Sequence, residues 1–121
     1  IFSYKKISKI CIKKKILMRS GETDRSVIVE DKKIEKFCQK IIDFFKPYGN
    51  LDCDIMKDSS GKLFLIDLNP RFGGGYPATH ESGYLYLNYL LGDRKFKFPK
   101  KPLKINVSKG ISVFSSKPNF I

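Results

Sequence analysis

Four oxygen-bearing side chains near the middle of the chain have the spacing of ligands on two paired strands. Asp52 and Asp54 are two residues apart, and so are Asp67 and Asn69. Side chains two residues apart in a β-strand point to the same face. A turn at residues 58–61 would pair residue 54 with 65 and residue 52 with 67, and paired residues share a face. We therefore expect all four side chains to project from one face at one end of a hairpin.

Carboxylates gathered on one face repel each other unless a positive charge lies between them. The four donors are hard oxygens, with no His or Cys among them, and such donors suit Mg²⁺ or Mn²⁺. Because Mg²⁺ usually combines one or two carboxylates with phosphate oxygens, the pattern also predicts a phosphorylated ligand. An acidic hairpin can equally be a plain solvated edge, so the residues alone leave both interpretations open.

The loop that follows Asn69 carries groups that suit a phosphate. Arg71 lies two residues further on, and its planar guanidinium can hold phosphate oxygens in pairs. Gly73, Gly74 and Gly75 follow it, and a glycine backbone can bring its amides close to an anion. A glycine-rich loop alone is a weak signal, since many such loops are only connections.

The run FLIDLNPRFGGGYP, residues 64–77, resembles the ATP-grasp superfamily, in the branch similar to the large subunit of carbamoyl-phosphate synthase. In that family a strand carries an acidic residue, one spacer and then Asn-Pro-Arg. Asp67, Asn69 and Arg71 match this order without a gap. Family members more often have Glu at the acidic position, so Asp67 keeps the charge but is one methylene shorter.

Two upstream segments extend the resemblance to roughly residues 8–92. Asp52-Cys53-Asp54 resembles the preceding strand of the family, which carries another metal ligand; the spacing favours Asp54, with Asp52 as the alternative. The run from Met18 to Thr23 resembles a segment in which a basic residue lies close to the nucleotide, a role that would fall to Arg19. An ordinary solvated loop arginine is the competing interpretation.

The resemblance implies ATP-dependent ligation, in which ATP phosphorylates a small carboxylate or bicarbonate and an amine or ammonia attacks the acyl phosphate. Protein groups in phosphoryl transfer mainly position the reactants and neutralise charge. The roles implied for this sequence are a catalytic Arg71, a Mg²⁺ (or Mn²⁺) site at Asp54, Asp67 and Asn69, and ATP contacts from Arg19, Asp54, Asp67, Gly73 and Gly74.

The resemblance also implies that the catalytic unit is incomplete. The family's N-terminal lobe and nucleotide hinge lie upstream of the matched segment. We therefore expect residues 1–121 to form a single partial domain, the C-terminal lobe, which is inactive without the N-terminal lobe as its partner. The chain has no initiator Met, which suggests a piece of a longer polypeptide or a split-gene product.

Apolar periodicity predicts the elements that would position these residues. Apolar residues recur at helical spacing between Ile34 and Phe45, which predicts a helix over residues 31–46 that Asp31 begins. Strands are predicted within residues 7–18 and at 27–29, with a loop at 19–26 between them.

The second half of the chain predicts the hairpin and one more helix. The hairpin strands are residues 51–57 and 62–69, and alternation places Leu63 and Leu65 on the face of Asp67. A helix at 78–91, a basic connection at 93–104 and a last strand at 105–114 complete the prediction. The fold class expected is α+β, a mostly antiparallel sheet with two packed helices.

The formal net charge of +12, from 24 Lys and Arg against 12 Asp and Glu, allows a different function. A basic, non-catalytic nucleic-acid-binding domain could use residues 5–19 and 94–109, with Phe96 and Phe98 stacking on bases. That interpretation leaves the carboxylates unexplained, so nucleic acid is not the expected partner. A third alternative is an inactive ATP-grasp remnant, and a Lys-rich solvated surface accounts for the charge without any ligand.

The cysteines and the hydropathy place the protein away from membranes and oxidising compartments. Cys11, Cys38 and Cys53 match no zinc or redox spacing and lie among apolar residues, which predicts buried, reduced thiols. The longest apolar runs fall well short of the roughly 20 residues that span a bilayer. We expect a cytoplasmic protein with no membrane partner.

Overall fold

The structure, a computed structural model, describes residues 1–93 and 95–110. Within these residues the chain is an α+β protein, and every strand pairing is antiparallel, which confirms the expected fold class. The strands are β1 (Phe2–Tyr4), β2 (Ile7–Lys9), β3 (Ile12–Arg19), β4 (Glu22–Val29), β5 (Gly49–Asn50), β6 (Asp52–Lys57), β7 (Leu63–Asn69) and β8 (Asn106–Ser108). The helices are α1 (Lys32–Phe45), α2 (Tyr76–Glu81) and α3 (Tyr86–Leu90).

The strands of the described residues form three hydrogen-bonded groups, in the orders β2-β1-β5, β3-β4-β8 and β6-β7. The first group leads directly into the third, because β5 ends one residue before β6 begins. Leu51, the residue between them, exchanges backbone hydrogen bonds with Ile1. The start of the predicted acidic hairpin is thus fixed to the N-terminal strand.

The expected loop at residues 19–26 is wrong, because β3 and β4 form a long hairpin with only Ser20 and Gly21 between them. Both turn residues have positive φ, 50° for Ser20 and 79° for Gly21, the conformation whose twist suits a two-residue hairpin. The polar composition of residues 19–26 indicated a loop, but the run contains the end of β3, the turn and the start of β4, with Ser26 buried. Arg19 and Glu22 face each other across this end.

Helix α1 follows the prediction closely. The Asp31 carboxylate accepts hydrogen bonds from the Lys33 and Ile34 amides, at 2.8 and 3.1 Å, and so caps the start. Lys46 ends the helix in the left-handed conformation, with φ at 46°, and Pro47 follows. The buried face carries Cys38, Ile41 and Ile42.

A single helix at residues 78–91 is wrong, because Gly83, with φ at 88°, separates α2 from α3. Tyr84 and Tyr86, which follow the break, are buried together with Phe2 in the main core cluster. Phe2 and Tyr86 stack with ring centroids 4.6 Å apart. An extended helix would place Tyr84 and Tyr86 on different faces, so the break lets both rings enter one core.

Strand β8 covers only residues 106–108 of the predicted 105–114 segment, and residues 111–114 lie outside the described part of the chain. The predicted connection at 93–104 contains no strand or helix at residue 93 or over 95–104.

Cys11 and Cys38 are buried and Cys53 is half-buried, all three as free thiols, as expected. Among the described residues there is no helix with the length and apolar content needed to cross a membrane.

Candidate functional site

The hairpin of β6 and β7 brings the predicted acidic residues opposite one another in pairs. Asp52 pairs with Asn69, and Asp54 pairs with Asp67. The predicted register was shifted by two residues at this end, since it paired Asp52 with Asp67. A shift of two residues preserves the face to which each side chain points. The four side chains therefore share one face, as the spacing predicts.

An irregularity in β7 changes the rest of that face. Ile55 pairs with Leu65 while Asp54 pairs with Asp67, so Ile66 is an extra residue in the ladder. Beyond this bulge the alternation is offset by one position. Leu63 and Leu65 therefore do not share the face of Asp67, which corrects the prediction; strict alternation fails because the sequence gives no signal for the bulge.

The face shared by the acidic pairs, here called the acidic face, continues toward the turn with apolar side chains. Met56 is two residues beyond Asp54 and pairs with Phe64. Both are exposed, as is Ile66 at the bulge, with exposed fractions of 54%, 36% and 59% respectively. The acidic face is thus polar and anionic at one end and apolar at the other.

Helix α1 lies beside the opposite face of the hairpin, where Phe37 of α1 and Leu63 of β7 line one groove. Cys53 lies between Asp52 and Asp54 and so points the other way, toward the buried Cys38 of α1. Burial raises the pKa of the Cys38 thiol to about 11, and the neighbouring Cys53 contributes to the rise. Burial also raises the pKa of the Cys53 thiol, with Asp52 and Asp54 adding to the effect. Both thiols are therefore neutral near pH 7 and unsuited to metal binding, which requires the thiolate.

Two of the carboxylates already have polar partners. The Lys15 ammonium lies 2.8 Å from an Asp54 oxygen. The Asp67 carboxylate accepts hydrogen bonds from the Asn69 side-chain amide at 2.6 Å and from the Leu68 backbone amide at 2.9 Å. These contacts hold Asp67 and Asn69 together and leave the side-chain oxygen of Asn69 available as a donor atom to a cation.

The acidic pairs do not form a closed metal-binding cage. Within residues 1–93 and 95–110, no three His, Cys, Asp or Glu side chains are gathered closely enough to hold a metal ion. Asp52 is therefore not part of a three-carboxylate cluster with Asp54 and Asp67, as the spacing had suggested. Two facing carboxylates and one amide oxygen do fit Mg²⁺ that takes further oxygens from phosphate.

The glycine loop folds back against the acidic pairs. A methyl group at Gly73 would lie 1.8 Å from an Asp52 carboxylate oxygen, so only glycine fits there without displacing Asp52. Gly74 and Gly75 lie close to lysine side chains, with methyl positions 3.7 Å from the Lys109 ammonium and 3.1 Å from Lys13 Cε. The loop thus lies between the Asp52 carboxylate and the side chains of Lys13 and Lys109.

Arg71 lies beside this loop, but its guanidinium is not in contact with the carboxylates. Its Nη1 donates to the Phe72 carbonyl at 3.3 Å, and the Asn50 side chain donates to the Arg71 carbonyl at 2.7 Å. The backbone at Arg71 is therefore anchored while its side chain is exposed. A guanidinium in this position is free to turn toward an anionic ligand.

Arg19 lies at the tip of the β3–β4 hairpin, where the structure places it apart from the predicted ligands. Its guanidinium is 3.4 Å from an Asp24 carboxylate oxygen, and its side chain is 66% exposed. Its pairing with Glu22 and its ion pair with Asp24 both lie within its own hairpin. The structure therefore does not bring Arg19 into the group formed by Asp54, Asp67 and Asn69.

Sequence reasoning missed the lysines of β3. Lys13 and Lys15 are two residues apart and reach the site from a neighbouring strand, Lys15 to Asp54 and Lys13 to the Thr79 hydroxyl at 2.9 Å. Their alternation was visible in the sequence, but it could not indicate which lysines face a carboxylate. That information lies in the packing of two separate hairpins.

A small polar cavity of about 10 Å³ lies beneath the glycine loop, lined by Lys13, Asp52, Gly73, Thr79 and Tyr86 among others. The Tyr86 hydroxyl is buried and has no hydrogen-bond partner in the described part of the chain. Burial raises the pKa of this hydroxyl far above its ordinary value. The space is on the scale of one water molecule, so it is too small for a substrate.

The aromatic residues of the nucleic-acid alternative are arranged differently from what base stacking needs. Phe98 packs against the core cluster, with its ring centroid 5.9 Å from that of Phe2 and 5.2 Å from that of Tyr89. Phe96 packs edge-on against Phe98 at 4.9 Å. These rings contact one another rather than presenting two free faces to bases.

Comparison of the sequence with models of known protein families finds no match. Comparison with curated proteins likewise finds no match.

Proposed function

We propose that this chain is the Mg-ATP phosphate-binding part of an ATP-dependent carboxylate–amine or carboxylate–ammonia ligase. The ligase would be an ATP-grasp enzyme, similar to the large subunit of carbamoyl-phosphate synthase, and would act through an acyl phosphate. This chain would be its C-terminal lobe, in the cytoplasm, and would need an N-terminal lobe for activity. The main observation in favour of this proposal is the direct pairing of Asp54 with Asp67, beside Asn69.

The pairing supports a cation site because like charges directly opposite each other on a sheet are destabilising. Lys15 neutralises part of the charge through Asp54, and within residues 1–93 and 95–110 the hydrogen-bond donors to Asp67 are both amide groups. A divalent cation between Asp54, Asp67 and Asn69 would remove the repulsion, and when bound it would neutralise phosphate charge. The oxygen-only donor set is the one that Mg²⁺ or Mn²⁺ prefers.

The two ends of the acidic face match the two ends of a nucleotide. Phosphates require cations and amides, whereas a purine base requires an apolar surface. Asp54 and Asp67 lie at one end, and Met56 and Phe64 lie toward the hairpin turn on the same face. A nucleotide lying along this face would place its phosphates at the acidic end and its base over the exposed apolar side chains.

Exposed apolar residues near the acidic face are consistent with a covering lobe, although Phe44 and Leu91, elsewhere on the molecule, are exposed as well. In addition to the apolar end of the acidic face, Ile16, Leu17 and Met18 on β3 are 58%, 41% and 45% exposed. Apolar groups concentrated in this way usually mark a surface that another part of a protein covers. The proposed N-terminal lobe would cover the nucleotide and these side chains together.

The residues of this chain would act on the phosphoryl group by positioning and charge. Asp54, Asp67 and Asn69 would hold the cation, and the amides of Gly73 and Gly74 would approach the phosphates. Arg71, anchored through its carbonyl by Asn50, would turn its guanidinium to the transferred phosphoryl group and stabilise the charge that develops there. Lys13 and Lys15 add positive charge on the β3 side, and no covalent nucleophile is needed.

The test is calorimetric titration of the chain with ATP in the presence and absence of Mg²⁺, repeated on Asp67→Asn. We expect weak binding that requires Mg²⁺ and that falls at least tenfold in the variant, because one charge-assisted cation ligand is lost. Asp43→Asn is the matched control, since Asp43 lies on α1 and contacts Gln39. It removes the same charge away from the acidic face and should leave binding unchanged.

Binding of Mg-ATP that Asp67→Asn leaves unchanged would contradict the assignment of the site. If the folded chain does not bind Mg-ATP at all, the same pair of variants is compared after the N-terminal lobe is supplied. Loss of ligase activity in Asp67→Asn but not in Asp43→Asn is then the expected result. Equal activity of the two variants would exclude the proposed role of Asp67.

A further inference from the structure

A groove of about 420 Å³ runs between α1 and the turn of the β6–β7 hairpin, on the side of the hairpin away from the acidic face. It is lined by Lys33, Lys36, Phe37, Lys40, Ser60, Lys62 and Leu63. Phe37 and Leu63 are half-buried and form an apolar floor. Three lysines of α1 and Lys62 line the groove beside this floor, and in the described part of the chain no carboxylate lines it.

The walls of the groove are fixed by contacts within the turn. The Lys33 ammonium donates to the Gly61 carbonyl and so ties α1 to the turn. The nearest acidic side chain of the turn, Asp58, accepts hydrogen bonds from the Ser60 hydroxyl and the Lys62 amide at 2.7 and 2.8 Å. Its charge is therefore directed into the turn.

The lysines of α1 form a row along one side of the groove. Lys33, Lys36 and Lys40 are spaced at i, i+3 and i+7, which places them on one side of the helix over roughly 10 Å. Lys36 and Lys40 are exposed and make no ion pair with any described residue. Lys62 also lines the groove, but its ammonium turns toward the acidic face, 5.0 Å from the ring centroid of Phe64.

We propose that this groove binds an acidic segment of a partner protein, in which one apolar side chain is flanked by carboxylates. The apolar side chain would lie on Phe37 and Leu63. The row of about 10 Å matches three or four residues of an extended segment, so carboxylates next to the apolar residue reach Lys36 and Lys40. Burial of the apolar residue supplies affinity, and the lysines supply orientation and a fast encounter.

The chemistry of the groove favours a carboxylate peptide over a nucleic acid. Arginine, whose planar guanidinium is the preferred partner of phosphate, does not line the groove in the described residues. Stacking of a base would also require an accessible ring face, and the half-buried Phe37 forms the floor between lysines.

The experiment uses a fluorescently labelled peptide, Glu-Asp-Leu-Glu-Asp, and measures its anisotropy with the chain. We expect saturable binding that weakens as salt is added. Lys36→Glu with Lys40→Glu should weaken binding about tenfold, because two attractions become repulsions. The control is Lys97→Glu with Lys100→Glu, an equal change in charge at exposed lysines away from the groove. A peptide with Ser in place of Leu should bind less tightly.

Three outcomes would overturn the proposal. One is the absence of saturable binding by the folded chain. The second is an equal loss of affinity in both double variants, which would indicate attraction to the net charge alone. The third is displacement of the peptide by a single-stranded oligonucleotide whose own affinity falls in the Lys36→Glu, Lys40→Glu double variant. That result would make the groove a nucleic-acid site. None of these outcomes depends on binding of ATP at the acidic face.

Discussion

Gly73 is the residue whose identity the acidic site depends on most directly. The methyl group of an alanine would overlap the Asp52 carboxylate, at 1.8 Å from its oxygen. We expect Gly73→Ala to displace the Asp52 carboxylate and to lower the free energy of unfolding by less than about 1 kcal/mol, because the end of a half-buried side chain can turn away. Chemical denaturation measures the change. Gly74→Ala is the control, since its methyl group would meet Lys109 at an ordinary 3.7 Å, and an equal loss there would refute the explanation.

Tyr86 is a core side chain whose hydroxyl group does not stabilise the fold. Its hydroxyl is buried without a partner in the described part of the chain, and an unpaired buried hydroxyl costs free energy. We expect Tyr86→Phe to raise the free energy of unfolding by about 1 kcal/mol. Tyr84→Phe should not, because the Tyr84 hydroxyl donates to the Lys100 carbonyl at 3.3 Å. A destabilised Tyr86→Phe would mean that a bridging water in the adjacent cavity satisfies the hydroxyl.

At the scale of elements, the turn of the β6–β7 hairpin depends on Asp58. Hydrogen bonds from the Ser60 hydroxyl and the Lys62 amide lower the pKa of the Asp58 carboxyl below its ordinary 3.8. A lowered pKa means that the ionised form stabilises the fold, so its contribution is present above that ordinary value and is lost as the pH falls further. Asp58→Asn should therefore be less stable than the wild type at about pH 6, and the gap should close toward about pH 2.

Thermal denaturation of both proteins across this range measures the gap. Ser60→Ala removes the largest cause of the lowered pKa and should show a smaller pH dependence than the wild type. A gap between Asp58→Asn and the wild type that stays constant with pH would show that the Asp58 charge does not contribute.

The elements also show which parts of the fold and site the sequence could predict. Helix α1 was predictable because its apolar period and its cap at Asp31 agree. The shared face of Asp54 and Asp67 was predictable because a register error of two residues preserves it. The bulge at Ile66 was not, since no local residue preference marks it, and neither was the ion pair between Lys15 and Asp54, which depends on how two hairpins pack.

At the scale of the whole molecule, positive charge acts against folding. The net charge of +12 repels itself in the compact state more than in the unfolded chain. The ion pairs of the described residues include Lys15–Asp54, Lys101–Glu30 and Lys109–Glu22, and such exposed pairs each contribute at most about 1 kcal/mol. Repulsion among the remaining lysines is therefore larger than the attraction within these ion pairs. Added salt weakens both, and its net effect is to stabilise the fold.

We expect the thermal midpoint to rise as sodium chloride is increased from about 0.01 M to about 0.15 M, over which the screening length falls from about 30 to about 8 Å. Differential scanning calorimetry measures the midpoint. Lys36→Glu with Lys40→Glu reduces the formal net charge by four, so this variant should gain less from salt than the wild type. Sodium sulfate, which also strengthens apolar burial, should raise the midpoint of both proteins. A midpoint that falls with sodium chloride would mean that ion pairs, rather than self-repulsion, dominate the electrostatics of the folded chain.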